Sequence, residues 1–224
     1  MSIQPVFLWT DVLIWLLVAV CAAFAWHVLR TPSLRQAWRN VLARPMGMAS
    51  LVVLAAFVVI GLADSLHYRE RLDNGQTGVE VNSVLDRALA GLSAHPERTY
   101  SAPLATHAQS KETVMLPSGV QARAYPRLEY GGAHLGDPEK DWARDVLKRI
   151  LTGLGWGILA SLLFFALVLL VARGCWSCEL KSALARVLRP AQNEVAWRAL
   201  LVTASLLFLA TGTLASLAQG YHVL

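Results

Sequence analysis

Four stretches of this sequence carry no Asp, Glu, Lys or Arg over the length a helix needs to cross a lipid bilayer. They are residues 12–29 (VLIWLLVAVCAAFAWHVL), 47–63 (GMASLVVLAAFVVIGLA), 153–172 (GLGWGILASLLFFALVLLVA) and 199–218 (ALLVTASLLFLATGTLASLA). A helix rises 1.5 Å per residue, so about 20 residues cover roughly 30 Å of hydrocarbon. Helices satisfy their own backbone polar groups along such a path. One such run could be a buried core helix of a soluble protein; four of them in 224 residues read as membrane spans. Composition agrees, with 55% hydrophobic and 16% charged residues against about 45–50% and about 25% in an ordinary soluble domain. No Lys or Arg precedes the first run, and it is longer than the apolar core of a cleaved signal peptide, so it reads as a span.

The basic residues orient these spans. The connection at 30–46 holds Arg30, Arg35, Arg39 and Arg44 with no acid. The connection at 173–198 holds Arg173, Lys181, Arg186, Arg189 and Arg198 against Glu179 and Glu194. Residues 64–151 are balanced, with 11 basic and 12 acidic groups. By the positive-inside rule the two short basic connections are cytoplasmic. Both termini and residues 64–151 then lie outside, in the periplasm of a Gram-negative cell. The net charge of +5 and the pI near 9.4 follow from this placement, and no nucleic-acid partner is implied.

Residues 64–151 are too many for a plain turn. VNSVLDRALAGL places Val81, Val84, Leu85, Ala88, Leu89 and Leu92 on one helical face. ETVMLPSGVQARAY reads as a hairpin about Pro117, Ser118 and Gly119. In GDPEKDWARDVLKRI, Asp137 is placed as an N-cap and Pro138 as the first helical residue, opening a helix that continues into the third span. The expected fold is therefore an all-α membrane protein, four transmembrane helices with a small α+β extracytoplasmic lobe between helices 2 and 3. Its parts are residues 1–63, two spans with a basic loop; 64–151, the lobe; and 152–224, two more spans with a basic loop.

Candidate chemistry is sparse. Cys175 and Cys178 form a CxxC pair next to the third span. A zinc site needs four ligands, and that loop holds no second CxxC or His pair, so two reduced thiols at a helix end is the simpler reading. Cys21 lies within the first span as a packing residue, and His27 lies near its cytoplasmic end, where it reaches headgroups or water. His67, His95, His107 and His134 are scattered without metal-ligand spacing. Trp9, Trp15, Trp26, Trp38, Trp142, Trp156, Trp176 and Trp197 fall mostly near span ends, as an interfacial aromatic belt does. SLRQAWRNVLAR is basic and amphipathic and suits a headgroup surface. No P-loop, HExxH, GxSxG or dinucleotide fingerprint is present, so no catalytic, cofactor, metal or substrate residue is assigned and no cofactor is expected.

The stretch AWRNVLARPMGMASLVVLAAFVVIGLADSLHY, with basic residues, then a span rich in small residues, then an exit to the outside, resembles the N-terminal part of the C-type permease subunit of dipeptide/oligopeptide ABC importers. In that family a signature of the form LGTDxxGRDV introduces the core transport helices, and GYHVL is similar to the lead-in to it. TYSAPLATH and YPRLEYGGAHLGDPEKD are similar in texture to a longer subgroup of these permeases. HLGDPEKDWARDV, residues 134–146, shares letters with the signature but lacks the Thr after the Gly and has different spacing. SALARVLRPAQNEVAW is basic and helical in pattern but lacks the Glu-Ala-Ala-type motif that docks on the ATPase, so no functional residue carries over. The resemblance implies a bacterial inner-membrane permease subunit whose transport core lies beyond Leu224. Its partners would be ABC ATPase subunits, which hydrolyse the ATP, a second permease subunit, a periplasmic peptide-binding protein and the lipid bilayer. A reading frame continuing past Leu224 into GTD is the expectation that goes with it. The alternative is a standalone accessory or sensor membrane protein with a periplasmic ligand- or partner-binding lobe.

Overall fold

The computed structural model describes residues 3–70, 78–93, 102–115, 121–176, 180–188 and 194–222. In chain order its elements are β1 (Ile3–Val6), α1 (Trp9–Arg30), α2 (Pro32–Leu42), α3 (Pro45–Asp64), β2 (His67–Glu70), β3 (Asn82–Ser83), α4 (Val84–Ser93), β4 (Glu112–Met115), β5 (Gln121–Ala124), α5 (Pro138–Trp176), α6 (Leu180–Leu188) and α7 (Trp197–Tyr221). The protein is predominantly helical. Four helices, α1, α3, α5 and α7, are long and apolar enough to cross a membrane, and only 6% of the apolar 18-residue window of each is buried within the chain. Leu16, Phe57, Leu163 and Leu206 among others present their side chains outward. Apolar area on that scale is stable only against another apolar phase, so this is a multi-pass membrane protein whose helices face lipid.

Proline divides the first three helices. Thr31 and Arg44 are both extended (φ −101°, ψ 110° and φ −85°, ψ 130°), and each precedes a proline that starts the next helix. The ring of Pro32 or Pro45 disfavours a helical residue before it and needs no intrahelical donor at the first turn. A further boundary of this kind is Asp137–Pro138, where α5 starts as the sequence leads one to expect. Asp137 accepts from the Lys140 and Asp141 amides through its carbonyl, while its carboxylate pairs with Lys140 Nζ at 2.9 Å. At 39 residues α5 is about 58 Å long, nearly twice the hydrocarbon thickness, so its charged first turns extend beyond the apolar run.

The chain forms two compact units, Met1–Leu89 with Leu163–Ala204, and Ala90–Leu162 with Ser205–Leu224. In the first, β1, β2 and β3 make an antiparallel sheet in that order, with Ile3 opposite Glu70, Val6 opposite His67 and His67 opposite Ser83. The start of α1 and the end of α3 therefore lie together. Elsewhere in this unit the Ala196 amide donates to the Leu42 carbonyl at 3.0 Å, which brings the end of the 173–198 connection against the end of the 30–46 connection. α4 starts with a reciprocal cap. Ser83 Oγ accepts from the Asp86 amide at 3.0 Å, and Asp86 Oδ2 accepts from the Ser83 amide at 2.8 Å.

The Ser83 backbone bond, then its side chain, hold the Asp86 carboxyl below its ordinary value of 3.8. A depressed folded value means that the stabilisation is complete above the unfolded value and disappears as pH falls through the folded one. Amide-exchange protection of α4 is accordingly expected to be flat near neutrality and to drop only below 3.8. Ser83→Ala is expected to cost about 1 kcal/mol of α4 stability at neutral pH, read by the same exchange measurement.

In the second unit β4 and β5 form the antiparallel hairpin expected from the sequence, with Glu112 opposite Ala124 and Met115 opposite Gln121; its turn, 116–120, lies outside the described residues. The expected helix over 81–92 is α4. The loop after the hairpin is rolled tightly. Arg127 Nη2 donates to the carbonyls of Leu135 and, at 3.3 Å, Gly132, while Leu128 and Leu135 are buried beneath it. Gly132 has φ +67°, a left-handed conformation open to glycine at little cost. Its amide donates to the Gly220 carbonyl at 3.2 Å, so the end of α7 lies beside this loop.

Candidate functional site

Helices α5 and α7 cross with their backbones almost touching. A Cβ built on Gly153 would lie 2.5 Å from the Gly212 carbonyl oxygen and 2.6 Å from Thr213 Cα. One built on Gly157 would lie 2.7 Å from Leu209 Cα and 2.8 Å from the Phe208 carbonyl oxygen. Gly153 and Gly157 are four apart, on one face of α5. Gly155 between them has open space around it. Without water to expel, helices in lipid associate through close packing, and small residues permit it. Ser161 and Thr213 spend their hydroxyls on carbonyls of their own helix, Gly157 at 2.7 Å and Leu209 at 2.9 Å, so shape rather than polar contact holds this crossing.

Just beyond the crossing, on the polar first turns of α5, lies a polar cluster centred on Asp145. Its Oδ2 receives Arg149 Nε at 2.8 Å, His134 Nε2 at 2.8 Å and the Tyr221 hydroxyl at 3.1 Å. Arg149 reaches the Ser216 carbonyl through Nη1 at 3.4 Å, and Ser216 Oγ returns a bond to the Arg149 carbonyl at 2.9 Å. Tyr221 is wholly buried. A side chain on Gly220 would strike the Arg149 guanidinium, so the missing Cβ makes room for that cation. Arg149 Nη2 also lies 3.1 Å from His134 Nε2. One nitrogen cannot donate to a carboxylate and accept from a guanidinium at once. An unprotonated Nε2 would set its lone pair against the carboxylate, so the proton sits on Nε2 and the bond to Asp145 is the effective one.

A second, smaller pair lies in the other unit. Asp11 is 1% exposed. Its Oδ2 accepts the Leu8 amide at 3.0 Å and contacts His67 Nδ1 at 3.0 Å. Leu8 has no side-chain oxygen with which to cap α1, so the carboxylate of Asp11 reaching back does that alone, and His67 of β2 covers its charge.

Both clusters bring together residues that the sequence leaves apart. His67 and His134 each meet a carboxylate, and His107 contacts Thr106 Oγ1 at 3.0 Å. His95 lies outside the described residues. No group of three or more potential metal ligands exists among the described residues. Cys175 falls in the last turn of α5, Cys178 lies outside the described residues, and Cys21 faces outward. His27 is exposed near the end of α1. Only one signal in the sequence points at the larger cluster, the Asp145–Arg149 spacing of four, which sets the pair on one helix face. Its other half, Tyr221, lies 76 residues from Asp145.

The Asp145 carboxylate is engaged by three donors, the tyrosine hydroxyl donates to it, and the guanidinium is shared between that carboxylate and α7. Such a set fastens helix ends. No protein family, no curated protein and no solved structure matches the chain.

Proposed function

We propose that the chain is the N-terminal membrane portion of the C-type permease subunit of a dipeptide/oligopeptide ABC importer in a bacterial inner membrane. In this reading 30–46 and 173–198 are cytoplasmic, and both termini and residues 64–151 are periplasmic. The pairing of ends supports this topology, and the permease identity rests on the resemblance carried by residues 37–68. β1 lies beside β2, the Leu42 carbonyl meets the Ala196 amide, and the Gly220 carbonyl meets the Gly132 amide. Each contact joins segments that the charge distribution assigns to one side. The stretch resembling these permeases forms the end of α2, the span α3 and the start of β2. Of the similar ending GYHVL, Val223 and Leu224 lie outside the described residues.

On this reading the four helices are peripheral to a transport core. Residues 64–151 are external on this reading, where they would brace the core or meet the peptide-binding protein. ATP hydrolysis belongs to separate subunits. The test is purification of the chromosomally tagged protein in mild detergent, with uptake of labelled di- and oligopeptides measured in an in-frame deletion strain. ATPase subunits, a second permease and a peptide-binding protein are expected to co-purify, and uptake is expected to fall at least about tenfold, a change of about 1.4 kcal/mol in the effective barrier. A protein that purifies without any ATPase, from a strain whose deletion leaves uptake intact, would support the accessory or sensor reading instead.

A further inference from the structure

Helix α2 is flanked directly by two membrane-crossing helices, yet none of its residues is buried. Its apolar positions are Leu34, Ala37, Trp38, Val41 and Leu42, the spacing of one continuous stripe. Trp38 and Val41 of that stripe are 44% and 47% exposed. Trp38 has an edge contact with Phe24 of α1, ring centroids 6.5 Å apart, and otherwise the stripe is largely uncovered among the described residues. On a 3.6-residue turn Arg35 and Arg39 flank one edge of the stripe, and Gln36 and Asn40, joined at 3.2 Å, occupy the opposite face. Arg30 and Arg44 bracket the helix, and no acid lies anywhere in 30–46. Arg30 is stacked 4.5 Å above the Trp26 ring, the pairing of cation and aromatic typical of headgroup depth.

α6, in the other basic connection, is a useful contrast. It is also short, basic and amphipathic, but Ala183 and Val187 on its apolar face are wholly buried. The chain covers Ala183 and Val187 of α6 with protein and leaves Trp38 and Val41 of α2 open. The end of α2 is nevertheless fixed. The Leu42 carbonyl takes the Ala196 amide one residue before α7 begins, and a Cβ on Gly47 of α3 would strike the Val41 carbonyl. So α2 is held at both ends, between spans, with an apolar side and a purely cationic rim.

We infer that α2 lies in the membrane plane as a binding surface for anionic phospholipid. Its Leu34–Ala37–Trp38–Val41 stripe enters the acyl boundary, and Arg35 and Arg39 engage lipid phosphates. Arginine stems at the edge of an apolar stripe follow the acyl layer while their guanidinium groups reach the headgroups. Two separate spans confine the helix to that depth, so only the ordering of α2 is left for the lipid to supply. Through Leu42 and Val41 that ordering is passed to the starts of α7 and α3. The inference depends on the spans alone and holds whether or not the protein belongs to a transporter.

The experiment is hydrogen–deuterium exchange on the whole purified protein in nanodiscs of phosphatidylcholine alone, or with roughly one-third phosphatidylglycerol. Each arginine at an anionic surface is worth about fivefold in binding. Amides of α2 are therefore expected to exchange at least about fivefold more slowly in the anionic discs, and high salt should remove the difference. Arg35→Gln with Arg39→Gln should abolish the lipid dependence while α1 and α3 exchange as in the parent, which shows that the spans still form. Equal α2 exchange in the two lipids would overturn the inference. So would slow exchange that survives in both lipids and in the double variant, since protein would then be covering the stripe.

Discussion

Gly157→Leu is expected to destabilise the second unit by about 2–3 kcal/mol and to separate α5 from α7. The atoms that a new side chain would meet are the Leu209 Cα and the Phe208 carbonyl oxygen, at 2.7 and 2.8 Å. Both belong to the backbone of α7, so no rotamer change can clear them and the helices themselves must move apart. Gly153→Leu meets the same obstacle at the Gly212 carbonyl and Thr213 Cα and should act in the same direction. Gly155→Leu is the control, because a Cβ at that position would meet nothing within 4 Å; its effect should stay within about 0.5 kcal/mol. Unfolding in mixed detergent micelles, followed by tryptophan fluorescence, ranks the three. A Gly157→Leu protein as stable as the Gly155→Leu protein would show that the crossing is not held by close approach.

That crossing also shows where reading the sequence reaches its limit. The four spans were legible because hydrocarbon imposes one requirement, about 20 residues without charge, and each run meets it by itself. Pro138 was legible as a helix start for the same reason, since a proline constrains its own neighbourhood; Pro32 and Pro45 start helices in the same way, and the structure supplied those two boundaries. The hairpin and α4 likewise depend on local periodicity. Gly153 and Gly157 stand in the sequence in plain view with Gly155, and nothing local says which of the three faces a partner. The answer depends on Gly212, which lies 55 to 59 residues away. The same holds for the sheet, where β1 needs β2 from beyond two spans, and for Asp11 with His67, which no spacing rule joins. His134 and Asp145 belong to the stretch HLGDPEKDWARDV, which shares letters with a transporter signature. The fold uses those residues to bind one another.

The Asp145 cluster gives the other large expected effect. Asp145→Ala should destabilise the protein by about 2–3 kcal/mol, below the roughly 3–5 kcal/mol for breaking a fully buried ion pair, because the side chains of Asp145 and Arg149 remain 17% and 23% exposed. The loss has two parts. The Arg149 guanidinium loses its counter-charge and keeps its 3.4 Å bond to the Ser216 carbonyl of α7, and the hydroxyl of the wholly buried Tyr221 loses its acceptor. Tyr221→Phe removes one donor from a carboxylate that retains two, and should cost only about 1 kcal/mol. The two changes are not independent. Once Asp145 is gone, the Tyr221 hydroxyl is a buried polar group without its partner, so deleting it should cost little or even restore stability. The Asp145→Ala, Tyr221→Phe double variant is therefore expected to be no less stable than Asp145→Ala alone in the same micelle unfolding assay. Strict additivity of the two changes would mean that the tyrosine and the carboxylate contribute separately and that the hydroxyl's bond to Asp145 is not what links the end of α7 to α5.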